Sequence, residues 1–466
     1  MKVFIITIPI TLSEDGNCFF TIMKYFKPKP IKQSVIRLQM FLLAVLLFCF
    51  QSTASELTDK MNAIAAVSDI KPMENSAGFA EKYSLKFEHP LDYNKPDAGT
   101  FTQRVFVCHV GFDRPTVIIT EGYGANYGAL PYYTEEITVL LNANLIICEY
   151  RYFLESMPEP CNWDYLTVEN SLGDLHEVVT AFKTIYPEKW LATGVSKGGQ
   201  TTMFYRAYYP DDVDVSVPYV APLNKSLEDG RHEPFIANKP GTPEERQKML
   251  EFQTDVFKRK AQLLPFFKAK CNENNYHFRV PIDVIFDYWV LEYSFAYWQY
   301  YSPDTHHIPN ASDFSDQTLV DMLFSFNDPS YFQDHTYYTS FNVQACKELG
   351  YYGYDMHPFR QYMSEKSTKK YLRRIMMPEE LSHIKFSKKL YRHTKRFLKH
   401  NDPKMIFIYG EYDPWSASGV CAWLNTSKKH NLKIYVQPGG SHISKIGNMP
   451  SEMGTAIEKQ LKEWMF

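Results

Sequence analysis

Residues 192–200 read Ala192-Thr193-Gly194-Val195-Ser196-Lys197-Gly198-Gly199-Gln200. The pattern is Gly-x-Ser-x-Gly. It suits a sharp turn between a strand and a helix, on which the serine is held up while glycines let the backbone pass close around it. The flanks agree, since Trp190 to Val195 predicts a short buried strand and Thr201 to Tyr209 predicts a helix. A bare Gly-x-Ser-x-Gly recurs by chance, so the reading rests on that strand and that helix.

Outward from this turn the chain divides into three blocks. From Tyr83 to about Asn224 strands and helices alternate. Gln103 to Val110, Thr116 to Thr120, Leu145 to Glu149 and Val213 to Val220 predict strands, and Ser171 to Tyr186 predicts a helix. From about Lys225 to Asn401 long helical patterns take over: Glu244 to Lys270, Val280 to Tyr301, Ser367 to Ile375 and Leu381 to Lys399. From Pro403 the alternation returns, with strands at Lys404 to Tyr409 and Leu432 to Gln437 and a closing helix at Ser451 to Met465. The expected fold class is α/β, one sheet built from residues 55–224 and 402–466, with a helical cap of residues 225–401 inserted between its halves. Such sheets place ligands beyond the carboxyl ends of their strands, where the cap would cover the site.

A serine on such a turn needs a base and an orienting acid, which follow it in the order Ser, Asp/Glu, His. The third block supplies both. Asp413 lies in Gly410-Glu411-Tyr412-Asp413-Pro414-Trp415 after one strand, and His442 in Pro438-Gly439-Gly440-Ser441-His442 after the next. In that reading Ser196 is the nucleophile, His442 the base and Asp413 the orienting acid. Oxyanion donors are expected at the backbone N–H groups of Lys197 and of Tyr123, the latter in the Gly-rich turn Thr120-Glu121-Gly122-Tyr123-Gly124. Two carboxylates are candidates for binding a substrate's free amino group: Glu121 beside that turn, and Glu292 in the aromatic run Tyr288 to Trp298. Glu149 and Arg151 are expected to pair and brace the site. His306 and His307 with Asp304 lack a third metal ligand at useful spacing, so no metal and no cofactor is expected.

Of 466 residues 45% are hydrophobic, ample for a large core, and the 16% of aromatic residues also suits an aromatic-lined cleft. Met40 to Phe50 is an 11-residue apolar run with a basic flank, followed by Ser52-Thr53-Ala54. It is too short for a confident membrane span and right for a signal peptide, so residues 1–54 are read as an over-long start plus a signal cleaved after Ala54. The mature chain is then expected to be secreted or periplasmic without stable membrane insertion. Cleavage removes six basic residues (Lys2, Lys24, Lys27, Lys29, Lys32, Arg37) and two acidic ones (Glu14, Asp15), taking the net charge from −3 to −7. An acidic chain excludes nucleic acid as an expected partner. Six cysteines remain, at irregular spacing that fits neither a disulfide scaffold nor a zinc site.

The elbow Gly194-Val195-Ser196-Lys197-Gly198-Gly199-Gln200 and the turn Glu121-Gly122-Tyr123-Gly124 resemble the secreted tripeptidyl aminopeptidase family of bacterial serine peptidases. His89-Pro90-Leu91-Asp92-Tyr93, Thr100-Phe101-Thr102-Gln103-Arg104, Glu149-Tyr150-Arg151-Tyr152 and Asp413-Pro414-Trp415-Ser416 resemble that family and the related prolyl carboxypeptidase-like family. Lys197 stands where many members of the latter show an aromatic, which favours the former. The resemblance spans roughly residues 83–466. It implies an α/β-hydrolase core, a helical cap, a triad at Ser196, Asp413 and His442, and peptide substrates cut to tripeptides from a free N-terminus. The alternatives on the same scaffold are an esterase or lipase and a prolyl-specific peptidase.

Overall fold

The computed structural model describes residues 55–301 and 307–466. The expected signal segment and its cleavage site, and the residues Asp304 and His306, lie outside the described residues.

Nine strands among the described residues form one sheet: β1 Val67–Pro72, β2 Glu81–Pro90, β3 Thr100–His109, β4 Thr116–Ile119, β5 Asn144–Cys148, β6 Trp190–Val195, β7 Val215–Tyr219, β8 Met405–Gly410 and β9 Leu432–Gln437. Their order is β1-β2-β3-β5-β4-β6-β7-β8-β9. β1, β2 and β3 form an antiparallel meander, β3 pairs antiparallel with β5, and all pairings from β5 to β9 are parallel. β1 and β2 went unread in the sequence, and the remaining strands fall within three residues of their expected bounds.

The parallel strands are covered on both faces, as apolar runs without a polar side require. Side chains alternate across the sheet. Ile118, Ile146, Ala192, Met405 and Phe407 face a core with Val178, Phe182, Met203, Leu390 and Leu398. These come from helices Val168–Phe182, Lys197–Tyr208 and Lys389–His400. Val117, Ile119, Leu145, Ile147, Leu191, Ile406 and Ile408 face the opposite core, against Ile137 and Leu141 of helix Glu136–Leu141 and Ile457, Leu461 and Trp464 of helix Ser451–Met465.

Between β7 and β8 the chain leaves the sheet and builds the cap. Its helices are His232–Asn238, Pro243–Lys258, Lys260–Glu273, Ile282–Gln299, Asp316–Phe326, Thr339–Gln344 and Tyr371–Ile375. The helix expected over Glu244 to Lys270 is two helices meeting at Arg259. That side chain turns across to Asp316 (2.6 Å) and to the carbonyls of Ala311 and Phe314, so tertiary bonds outweigh helix continuity there. Helix Lys389–His400 lies inside the sequence range assigned to the cap yet packs on the core. His393 Nε2 is 3.1 Å from the Ala207 carbonyl and its ring lies 4.3 Å from that of Tyr208.

Candidate active site

β6 ends at Val195 and the next helix begins at Lys197, which leaves Ser196 alone on the turn. Its backbone sits at φ 58° and ψ −117°, a region that residues with a Cβ avoid. The turn is locked from both sides: the Ser196 N–H donates to the Tyr219 carbonyl (3.0 Å), and the Gln200 N–H donates to the Ser196 carbonyl (2.9 Å). Two glycines make this approach possible. A Cβ on Gly194 would lie 2.5 Å from the Gly198 carbonyl, and one on Gly199 would lie 2.4 Å from the Tyr219 carbonyl oxygen. A Cβ on Gly198 would meet nothing closer than 3.4 Å, so the second indispensable glycine is Gly199.

Asp413 follows β8 and caps the short 3₁₀ turn Pro414–Ala417. Pro414 lacks the N–H that would go unpaired there, and the Trp415 N–H donates to Asp413 Oδ1 (3.0 Å). Asp413 Oδ2 is thereby left for His442, whose Nδ1 is 2.8 Å away. The carboxylate is fully buried and the histidine nearly so. His442 Nε2 has no hydrogen-bond partner among the described residues. The imidazole is thus oriented through one nitrogen with the other available. Trp415 joins the two loops to the serine: it lines the small cavity beside Ser196, and its ring is 6.4 Å from that of His442.

The turn after β4 stands over the first residues of the elbow helix. The Lys197 ammonium donates to the Gly122 carbonyl at 2.5 Å, and the Tyr150 N–H donates to the Tyr123 carbonyl at 3.0 Å. The Tyr123 N–H makes only a long contact, 3.4 Å to Glu121 Oε2. Glu121, the other carboxylate expected to bind an amine, is hydrogen-bonded within its own turn. Its carboxylate accepts from Tyr127 Oη and from the Gly122 N–H (3.1 Å), and it lines a cavity of about 210 Å³ with Tyr127, Tyr133, Glu135 and the Gly194-Val195 end of β6.

Glu292 is different. It lies on helix Ile282–Gln299, 6% exposed, and accepts from Tyr352 Oη (2.9 Å) and Tyr354 Oη (2.6 Å). Burial raises its pKa from 4.5 to about 7, against those two hydrogen bonds. No cation pairs with it among the described residues. Tyr352 packs 5.3 Å from Trp415 and 3.7 Å from Phe295, which places the carboxylate behind the aromatic wall of the serine's cavity. The same helix ends on the histidine loop, where the Gln299 carbonyl accepts the His442 N–H (2.9 Å). Tyr352, Tyr354 and Gln299 were not singled out from the sequence. The run Tyr351-Tyr352-Gly353-Tyr354 was the available signal.

The expected Glu149–Arg151 pair does not form. Glu149 binds Arg104, Ser156 Oγ (3.0 Å) and the Ala125 N–H (3.0 Å), whereas Arg151 grips Asp174 through Nε (2.7 Å) and Nη2 (2.6 Å). Among the described residues no group of three His, Cys, Asp or Glu side chains could hold a metal. The six described cysteines are all free thiols, five of them wholly or partly buried.

A mixed sheet with a serine on a strained strand–helix turn, an acid and a histidine after later strands, and a helical insertion over the carboxyl edge defines the α/β-hydrolase class. Within it, the chain belongs to the PS-10 peptidase S37 family, whose model matches residues 51–464, and it is a serine peptidase. A prolyl tri/tetrapeptidyl aminopeptidase of Streptomyces mobaraensis is 28% identical over 394 residues, covering 82% of this chain and 79% of that one. A lysosomal Pro-X carboxypeptidase of Mus musculus is 28% identical over 163 residues, covering 31% and 33%. Among solved structures, a proline iminopeptidase of Mycobacterium smegmatis aligns with a TM-score of 0.37 at 11% identity, covering 85% of this chain and 98% of that one.

Proposed function

We propose that this peptidase is secreted and releases tripeptides from the free N-terminus of peptide substrates through an acyl-enzyme on Ser196. In this mechanism His442 Nε2 takes the Ser196 proton as the oxygen attacks the scissile carbonyl. Asp413 holds the imidazole through Nδ1 and balances its charge. The oxyanion is met by the N–H groups of Lys197 and Tyr123. The C–N bond breaks as His442 returns the proton to the leaving amine. Water then attacks the ester by the same route, freeing the tripeptide as a carboxylate and restoring the serine. The substrate partner is a peptide, and no cofactor enters any step.

The observation that carries the exopeptidase reading is Glu292, a buried carboxylate with no cation among the described residues, two rings (Trp415 and Tyr352) away from the cavity of the serine. A buried anion without a counter-ion is costly, and a substrate ammonium would relieve that cost. The name of the Streptomyces mobaraensis relative, a prolyl tri/tetrapeptidyl aminopeptidase, supports release of three or four residues. The apolar run at Met40 to Phe50 supports export, and N-terminal sequencing of exported protein is expected to begin at Ser55.

The test is a panel of aminoacyl-, dipeptidyl- and tripeptidyl-amides, each with a free and an acetylated N-terminus, alongside short-chain esters. Free tripeptidyl-amides are expected to be cleaved best. Equal cleavage of acetylated and free peptides would defeat the proposal.

A further inference from the structure

Lys197 stands directly after the serine, and its side chain is turned inward, 2% exposed. Its ammonium touches a carbonyl and one ring, with two more rings nearby. Nζ donates to the Gly122 oxygen at 2.5 Å, stands 3.4 Å over the centre of the Tyr150 ring, and lies 5.5 Å from the rings of both Tyr123 and Phe153. The Gly122 carbonyl and the Tyr123 N–H are the two ends of one planar trans peptide group. Whatever fixes that oxygen therefore fixes where the N–H points.

The rest of the turn is arranged to let this grip matter. A Cβ on Gly122 would lie 2.6 Å from Lys197 Cγ and 2.9 Å from the Gly198 nitrogen, so the turn lies flush on the start of the elbow helix. The following peptide group is held from the other side, by the Tyr150 N–H on the Tyr123 carbonyl and by Tyr337 Oη accepting the Gly124 N–H at 2.8 Å. Tyr150 thus serves both as the face under the ammonium and as the anchor of the next carbonyl.

We infer that the Lys197 side chain is a positioning residue: by holding the Gly122 carbonyl it aims the Tyr123 N–H at the point already served by Lys197's own backbone N–H. One residue supplies one oxyanion donor and orients the other. The inference rests on the oxyanion assignment proposed above. Burial lowers the pKa of this lysine well below its ordinary value, with Glu121 and Glu348 opposing. The grip survives that shift, since either protonation form carries an N–H to donate. Packing alone does not ask for a lysine here. A methionine of similar length would fill the same aromatic cage without burying an ammonium.

The experiment compares Lys197→Met, Lys197→Arg and Ser196→Ala with the parent by kcat, KM, affinity for a peptide boronate that forms a tetrahedral adduct on the serine, and Tm. Lys197→Met is expected to keep the parent's Tm or exceed it and to leave KM little changed. Its kcat should fall ~10²–10³-fold, as for loss of an oxyanion donor, and boronate affinity should fall in parallel. Lys197→Arg, which keeps an N–H donor, should recover part of both. Parent-like kcat and boronate affinity in Lys197→Met, or a lowered Tm with kcat intact, would overturn the inference. Should Lys197→Met not fold, the comparison passes to Lys197→Arg. There a parallel loss of kcat and boronate affinity at unchanged KM supports the inference, and unchanged boronate affinity overturns it. If Ser196→Ala still turns over and still takes up a fluorophosphonate, it is the nucleophile assignment that fails, whatever Lys197 does.

Discussion

Replacing Glu292 by glutamine should stabilise the protein and impair it together. The carboxyl titrates at about 7 in the folded chain against an ordinary 4.5, because burial penalises the charged form more than Tyr352 and Tyr354 favour it. The folded state therefore binds this proton more tightly than the unfolded chain does. The side chain costs nothing below pH 4.5, costs more as pH rises towards 7, and holds its full cost above that. At about 1.4 kcal/mol per pH unit the full cost is about 3 kcal/mol. Glutamine has nearly the same shape, stays neutral and still offers an oxygen to a tyrosine hydroxyl. Urea unfolding of parent and Glu292→Gln should coincide near pH 4.5 and diverge in favour of the variant by about 2–3 kcal/mol at pH 8. Turnover should move the other way. kcat/KM for free-amine tripeptidyl-amides should drop at least tenfold, with little change for acetylated ones, and in the parent KM for the free amines should rise as pH falls below 7. A variant no more stable than the parent at pH 8 would refute the electrostatic argument. Equal losses on free and acetylated substrates would refute the amine-binding one.

Ser196→Ala should fold as the parent does yet lose turnover on the order of 10⁶-fold and all fluorophosphonate labelling, since the covalent step has no other hydroxyl to use. Undiminished labelling would sink the nucleophile assignment. Arg151→Met should destabilise by about 3–5 kcal/mol, because it strands Asp174 fully buried without the two guanidinium bonds at 2.6 and 2.7 Å. Chemical denaturation reads this directly, and a loss under about 1 kcal/mol would show that Asp174 finds another partner.

Ser196, Asp413 and His442 are legible as candidates because the features that mark them are local. Glycines flank the elbow, Asp413-Pro414-Trp415 encodes its own cap, and Gly439-Gly440 precedes the histidine loop. β2 was equally local and still missed. Tyr83, Leu85, Phe87 and His89 alternate with Lys82, Ser84, Lys86 and Glu88, a period of two whose apolar face is broken by Glu81 and His89. Lys82 is buried there only because its ammonium reaches the Leu130 carbonyl at 2.6 Å, a tertiary fact that no local window holds. The same limit explains the misread partners. Glu149 looks across the sheet to Arg104 and Arg151 to Asp174, although the two stand two residues apart in the chain. Glu121 and Glu292 look alike in sequence. Only packing separates a carboxylate spent on Tyr127 and its own turn from one held by two tyrosines at the wall of the cleft.

The cap helix Ile282–Gln299 links the histidine loop to Glu292. Its last residue offers a carbonyl to the His442 N–H, and Glu292 lies seven residues earlier on the same helix. At about 1.5 Å of rise per residue the two points are about 10 Å apart along the axis. Three residues of extended peptide span about 10–11 Å. A substrate whose scissile bond lies at the histidine, and whose chain runs along this helix, would bring the ammonium of its third residue back from the cut level with Glu292. A dipeptide would stop short of the carboxylate, and an acylated or longer chain would carry uncharged backbone past it. The cavity beside Ser196 is about 20 Å³, about the room one water needs, with Trp415 in its lining and Phe295 and Tyr352 packed against that ring. These rings separate the serine from Glu292. A peptide that displaced those rings would bring its ammonium to the carboxylate, and the binding energy of the amine would then favour chains that have one to offer.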